Sequence, residues 1–422
     1  MSHDAATVKA PIPIRRLALL LGGLAMFGPF SIDTIFPAFP AMGVELGADK
    51  LQMQQTISVY LVAYALMSIV HGPLSDAIGR RKVILGGLAI FTLASAACAL
   101  ADDLPALLFF RAVQGLSAGV GLIVGRAVIR DLLHGDDAQR LMSQVMMIFG
   151  IAPAIAPVIG GWILGWSHWP AIFWFLVAFS VVLWLAVATL LPETHPPQAR
   201  LPLKPKRLLR DYFAICLNPR FQRLTAVGAL NFGALFLYIA SAPAFVLDLL
   251  KLGERDFAWF FVPTIGGMVA GSFVSGRAAG KVSGDRLVNI GFAFCALAIV
   301  VNLGYNLWTD VPRVPWAVVP MCIGAFGIAL VFPIVTLSIL DMYPHQRGSA
   351  SSLQAFTGLV LNAVLAGVIS PMLSDSAIHL AIAASCLTAA GWLFWRWEAC
   401  VSRNRVARVP EDAVVVEPQD SL

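Results

Sequence analysis

Charge is scarce in this chain. Asp, Glu, Lys and Arg make up 13% of its 422 residues, against about 25% in soluble domains. That is too little to cover a water-soluble body of this size. Six cysteines stand isolated at 98, 216, 295, 322, 386 and 400 with no CxxC pair, which argues against a disulfide framework and against zinc. The seven histidines are scattered without a HExxH string. GRAAGK at 276–281 imitates a phosphate loop, but its glycines are one residue too close and Val282 stands where Ser or Thr is needed. With no nucleophile motif and no nucleotide domain either, neither an enzyme, a cofactor nor direct drive by ATP is expected.

What the chain has is apolar length. The hydrophobic fraction is 59% and the mean hydropathy +0.80. Runs of roughly 20 residues, enough to cross a bilayer, occur at 17–39, 53–74, 83–101, 105–126, 141–165 and 169–190. Six more follow at 222–247, 257–276, 286–308, 315–339, 349–373 and 376–397. This pattern predicts an all-α polytopic membrane protein with twelve transmembrane helices in two six-helix halves. The first run is too long for a signal peptide and leads straight into further runs, so it is read as a retained span.

The net charge of +5 does not point to nucleic acid, because the basic residues fall in turns rather than in a patch interleaved with aromatics. Lys50, Lys251, Arg255 and Arg313 lie in one set of loops and Arg111 within a run. The remaining basic residues of the 29 lie in the other loops, at the run ends beside them and in the tails. By the positive-inside rule both termini are cytoplasmic. Trp166, Trp169, Trp308 and Trp316 are placed as an interfacial belt at the outer ends. The organisation is then an N-terminal segment 1–16, a first half 17–192, a linker 193–221, a second half 222–400 and a disordered tail 401–422. The linker has five prolines and six basic residues, and reads as cytoplasmic with an amphipathic stretch on the membrane surface. A weak repeat relates the halves: Asp131…Arg140 after the fourth run answers Asp341…Arg347 after the tenth, and SGRAAGKVSGDRLV looks like a decayed copy of the turn described next.

Between the second and third runs stands GPLSDAIGRRK, 72–82. Gly72 permits close helix approach, Asp76 can pair with a base at a helix end, Gly79 permits a sharp reversal, and Arg80, Arg81 and Lys82 hold the turn in the cytoplasm. The string resembles the signature loop of the major facilitator superfamily at every characteristic position. LLFFRAVQGLSAGVG at 107–121 is similar to that family's span 4 motif, with Gly115, Gly119, Gly121 and Gly125 spaced for helix contacts.

Arg111 in that motif needs a partner, since a buried arginine costs several kcal/mol unless paired. It lies about seven residues from the outer end of its run. Asp33 lies seven residues from Pro40, which marks the outer end of the first, so the two are at similar depth. They form either a structural ion pair or a proton site, and packing decides whether they touch directly or through water. GPFSIDTIFPAFP at 28–40, with Asp33, Pro37 and Pro40, closely resembles the span 1 motif of the bicyclomycin/chloramphenicol-resistance branch of proton-driven drug exporters. Some related exporters carry a second acid about two turns earlier. Here Ala25 and Met26 occupy that place, which leaves the proton stoichiometry open.

GIAPAIAPVIGG at 150–161 is similar to the exporters' antiporter motif, with Pro157, Gly160 and Gly161 matching, Pro153 added and Ala156 in place of glycine. QRGSASSL at 346–353 resembles the same branch, and its Ser349, Ser351 and Ser352 can cap a helix whose N-terminal N–H groups face Asp76. The resemblance implies a gate made by Asp76, Arg80 and Asp131. Tyr60, Tyr64, Asn231, Tyr238 and Asn362 are polar or amphipathic at middle depth, and are candidate substrate contacts in an apolar cavity flanked by Phe232 and Phe236. The resemblance implies efflux of small amphipathic compounds and antibiotics in exchange for protons at a bacterial inner membrane. A metabolite exporter or symporter on the same fold is the alternative. The expected partners are the small molecule, protons and the bilayer, for a monomer with no nucleic acid.

Overall fold

In the computed structural model the described residues are 13–133, 135–200, 205–278, 281–309, 311–343 and 347–406. The segments 1–12 and 407–422, most of the expected tail, fall outside them, as do 201–204 of the linker, 279–280 and Gln346 of the QRGSASSL string. Within them every regular element is helical.

Eleven helices are long and apolar enough to cross a membrane. They include α1 (Ile14–Asp33, within the apolar segment Ile14–Glu45), α2 (Lys50–Ile78), α3 (Arg80–Ala99) and α4 (Leu104–Ile129). α5 (Gly135–Leu164) has a shorter apolar stretch, Ile148–Leu164, and is followed by α6 (Pro170–Leu190). The linker helix α7 is Pro205–Cys216. Then come α8 (Pro219–Ala240), α9 (Ala258–Ala278), α10 (Gly284–Trp308), α11 (Val319–Met342), α12 (Ser349–Leu373) and α13 (Ala377–Ser402).

Local chemistry sets several helix starts. Asp49 and Gln52 close a capping box on α2. The Asp103 carboxylate accepts the Ala106 N–H at 2.8 Å to open α4, and the Asn218 side-chain Oδ1 accepts the Arg220 N–H at 3.0 Å to open α8. α8 therefore begins at Pro219, inside the stretch expected to be linker.

Glycines decide the close crossings. A side chain at Gly115 would strike the Tyr60 carbonyl, and one at Gly121 the Leu24 carbonyl, so α4 lies directly against α2 and α1. Gly72 does not act this way: nothing lies within 4 Å of where its side chain would be. The small residue there faces open space rather than a neighbouring helix. The belt also needs one correction. Trp166, Trp308 and Trp316 are exposed, whereas Trp169 is buried and donates its indole N–H to Glu45 at 2.7 Å. A polar partner within reach pulled it inward. α7 is more than a surface helix too: Tyr212 and Ile215 are buried in a cluster with Phe221, Val288 and Trp395, while Leu209 and Phe213 stay exposed.

Candidate functional site

α1 ends at Asp33, where the chain turns through Phe36–Ala38 into the short helix Phe39–Glu45. The helix therefore stops seven residues before Pro40. Pro37, in that tight turn, cannot extend the α-helical ladder. Asp33 is thereby a helix-terminal carboxylate held inside the bundle, 4% exposed, with no ion pair among the described residues. Its expected partner has gone elsewhere. Arg111 is fully buried and donates from Nη1 to the Ser31 hydroxyl at 2.9 Å, the Ser31 carbonyl at 3.0 Å and Gln114 Oε1 at 2.7 Å. Its Nε donates to the Thr56 carbonyl at 3.2 Å. Gln114 in turn donates to Ser95 at 2.7 Å, so α1, α2, α3 and α4 meet at one guanidinium. The cation lies 4.5 Å from the centre of the Tyr60 ring. One arginine nitrogen, Nη2, is buried and without a partner.

Of the candidate contacts, Tyr60 and Tyr64 join this cluster. Their rings meet edge-on at 6.4 Å, and the Tyr60 hydroxyl donates to the Gly28 carbonyl at 3.3 Å. Asn231 and Tyr238 do not join it. The Tyr238 hydroxyl accepts from Asn302 at 2.8 Å, and Tyr238 lines a cleft of about 50 Å³ among α8, α10, α11 and α13 with Cys295, Asn302 and Thr388. Asn231 is buried with the Cys295 thiol beside it and neither amide atom in a well-formed hydrogen bond, and the Asn362 Oδ1 is buried and unpartnered. Phe232 and Phe236 stack at 6.3 Å. Buried polar atoms left unsatisfied are costly and so mark places where a ligand or water can bind.

The two ends of the bundle differ in chemistry. At one end Arg80, though a charged residue, is 7% exposed on its side chain. Its Nη1 lies 2.5 Å from Asp76 and donates to Ser75 at 2.6 Å, while its Nε donates to Asp131 at 3.0 Å. Gly79 has a φ of 105°, open to glycine at little cost, and a side chain there would collide with Glu193. Glu193 is a cap supplied from the linker: its carboxylate accepts the Arg80 and His195 backbone N–H groups at 2.9 and 3.0 Å. Thr194 donates to Asp131 at 3.1 Å. Nearby, the Tyr212 hydroxyl donates to the Ile69 carbonyl at 3.0 Å; burial pushes its pKa up to about 12, against the lowering effect of the Ser349 and Ser352 hydroxyls. Serines of the α12 start and Asp76 thus converge on Tyr212.

At the other end α2 is tied to the second half of the chain. Lys50 pairs with Asp248 at 2.7 Å, Gln54 donates to the Ala240 carbonyl at 3.0 Å, Gln55 to Gly367 at 2.8 Å, and Ser58 to Ala363 at 3.0 Å. α5 makes a second tie across the chain. Pro153 and Pro157 sit within an unbroken helix, Gly160 abuts the Thr34 carbonyl, and Gly161 abuts the Glu254 carbonyl in the loop before α9. Of the two glycines, Gly161 faces the second half and Gly160 the first.

The Gln114, Ser31 and Ser95 partners of Arg111, the Glu193 cap and the Gln54–Ser58 ties were not singled out from sequence. Only Gln114 carried a usable signal, one turn after Arg111 on the same helix face.

Comparison with known proteins places this architecture. The chain is 25% identical over 370 residues to a bicyclomycin resistance protein homolog of Haemophilus influenzae, covering 85% of this chain and 90% of the relative. It is 26% identical over 413 residues to a chloramphenicol resistance protein of Pseudomonas aeruginosa, covering 96% and 94%. These relatives lie in the branch that the residue 28–40 string resembles. The crystal structure of a D-xylose-proton symporter superposes with a TM-score of 0.71 at 13% identity, over 91% of this chain and 97% of that one, which shows the shared fold. The profile of the Major Facilitator Superfamily matches residues 19–367. A many-spanned helical bundle, the Gly79–Arg80 turn and that match agree: the chain belongs to the Major Facilitator Superfamily, and is a membrane transporter rather than an enzyme.

Proposed function

We propose that the protein exports small amphipathic compounds, antibiotics among them, in exchange for protons across a bacterial inner membrane. Asp33 carries this reading. A carboxylic group inside the bundle, without an ion-pair partner because the guanidinium at its depth is engaged by Ser31, Gln114 and Thr56, is free to change protonation as a substrate arrives. A permanently paired carboxylate would be held ionised and could not. The names of the drug-resistance relatives support the same substrate class. Twelve spans in two halves, with α5 as the fifth and both termini in the cytoplasm, are the topology that goes with it. Rocking of the halves about the Asp33–Arg111 level supplies alternating access. Asp33 and Arg111 couple the proton; Gly79, Asp76, Arg80 and Asp131 gate the cytoplasmic end, Gly72 marking its start. Pro153, Pro157, Gly160 and Gly161 hold α5 at the interface. Tyr60 and Tyr64 touch substrate from the first half, and Asn231 and Asn362 offer unsatisfied amides in the second. Tyr238, already engaged by Asn302, is the weakest of these contacts.

The test is transport of chloramphenicol into inverted membrane vesicles with an imposed proton gradient. Uptake that needs the gradient and stops with Asp33→Asn supports antiport. Movement of drug and proton in the same direction assigns a symporter on the same fold.

A further inference from the structure

One face of α2 carries a row of polar side chains between the two sites just described. Tyr60, Tyr64, Ser68, His71 and Ser75 recur at three- to four-residue steps, which places them on a single stripe. Tyr60, Ser68, His71 and Ser75 are buried. The row begins under the Arg111 guanidinium and ends at Ser75, which accepts a hydrogen bond from Arg80. α4 closes over it with two glycines four residues apart. Gly115 lies on the Tyr60 backbone, and at Gly119 an added side chain would meet His71 Nδ1 at 2.7 Å and Tyr64 at 2.9 Å. His71 is the one imidazole in this seam; the Leu116 backbone of α4 lies against it, and its Nδ1 is buried without a well-formed hydrogen bond. A buried polar atom left open in this way costs stability.

The ionisable groups on the packed elements are Arg111 and Arg126 on α4, Arg80, Arg81, Lys82 and Cys98 on α3, Arg15, Arg16 and Asp33 on α1 and Tyr212 of α7 near Ile69, with Lys50 and Asp76 on α2 itself and Asp131 against Arg80. α12 carries none between Ser349 and Leu373.

We infer that His71 relays protons between Asp33 and the Arg80 end of the bundle along the α2–α4 seam. This rests on the proton-exchange reading of Asp33. The Asp33 carboxyl releases its proton to seam water, and the imidazole accepts it on the Nδ1 lone pair. The imidazolium then returns the same proton to water at the Arg80 end, so only O–H and N–H bonds break and form. Antiport gives such a route a purpose: the proton must leave as substrate enters the same cavity, and a side passage keeps the two from crossing.

The test uses the full-length chain in liposomes with radiolabelled chloramphenicol. Drug-for-drug exchange cycles the loaded carrier and needs no net proton movement, whereas gradient-driven net transport does. His71→Gln should bind and exchange the drug as wild type does, yet lose about ten-fold or more in net transport, as removal of a proton-transfer group does. Unchanged net transport overturns the relay, and so does an equal loss in exchange and net transport. Loss of binding in both His71→Gln and His71→Asn makes the residue a packing element and also overturns it. Asp33→Asn is run alongside: if that variant keeps gradient-driven transport, the proton-exchange reading itself falls. A lost net flux in Asp33→Asn with a normal one in His71→Gln removes the relay alone.

Discussion

Arg111 reaches Ser31, two residues before Asp33, and not Asp33 itself. Its Nη1 spans the Ser31 hydroxyl at 2.9 Å and the Ser31 carbonyl at 3.0 Å. The arginine thus clamps the last turn of α1 and fixes where the carboxylate stands, while leaving that carboxylate out of an ion pair.

Asp33→Asn should insert and fold, since shape is kept and no ion pair is lost, but it should abolish gradient-driven efflux. Cells expressing it should tolerate no more chloramphenicol than cells without the protein. Normal resistance in the mutant would mean that another group carries the proton.

Arg111→Ala removes the donor for Ser31, Gln114 and the Thr56 carbonyl at once. Each buried group left unsatisfied costs about 1–3 kcal/mol, so the melting temperature in detergent should drop clearly. Arg111→Lys should recover little, because one ammonium cannot reproduce the fork that reaches α1, α2 and α4 together. A wild-type melting curve for Arg111→Ala would show that the clamp is dispensable.

Asp131→Asn and Asp76→Asn each weaken one arm of the Arg80 network, which lies at the opposite end of α2 from its ties to the second half. Transport should slow while drug affinity, measured by equilibrium binding, stays within about two-fold, a difference of some 0.4 kcal/mol. Loss of affinity with normal turnover would put these residues on the substrate route instead.

Glycine positions separate on packing grounds. Gly72→Ala should be tolerated, with nothing within 4 Å to strike, whereas Gly121→Ala and Gly160→Ala drive a methyl into the Leu24 and Thr34 carbonyls. Overpacking of this kind costs about 1–3 kcal/mol, visible as reduced yield of monodisperse protein and a lower melting temperature. Equal behaviour of the three would contradict the helix crossings.

Dissipating the proton gradient with an uncoupler should raise chloramphenicol accumulation in expressing cells. Each charge moving down 100 mV releases about 2.3 kcal/mol, and one proton per neutral drug carries that charge. A fall in accumulation would reverse the direction of transport.

The apolar runs, the Gly79 turn and the α5 glycines were legible because each is a local pattern: run length, a positive-φ site, small residues at helical spacing. The acid and the base at middle depth were legible too, since a charge inside a twenty-residue apolar run stands out by cost alone. Their relationship was not. Equal depth suggested a pair, but depth says nothing of the angle around each helix, and α1 ends at Asp33 instead of continuing toward Pro40.

Composition and run length by themselves determined that this chain is a helical membrane protein, and motif spacing placed Asp33, Arg111 and the Arg80 turn. Only the tertiary structure decided which groups those charges meet: Ser31 and Gln114 for Arg111, the linker's Glu193 over Gly79, Asn302 for Tyr238, and the carbonyls of α8 and α12 for Gln54, Gln55 and Ser58. Most of these bonds join distant helices, and many end on backbone carbonyls, which every residue carries. Such an acceptor leaves no mark in the order of side chains, so its partner becomes visible only when the helices are packed.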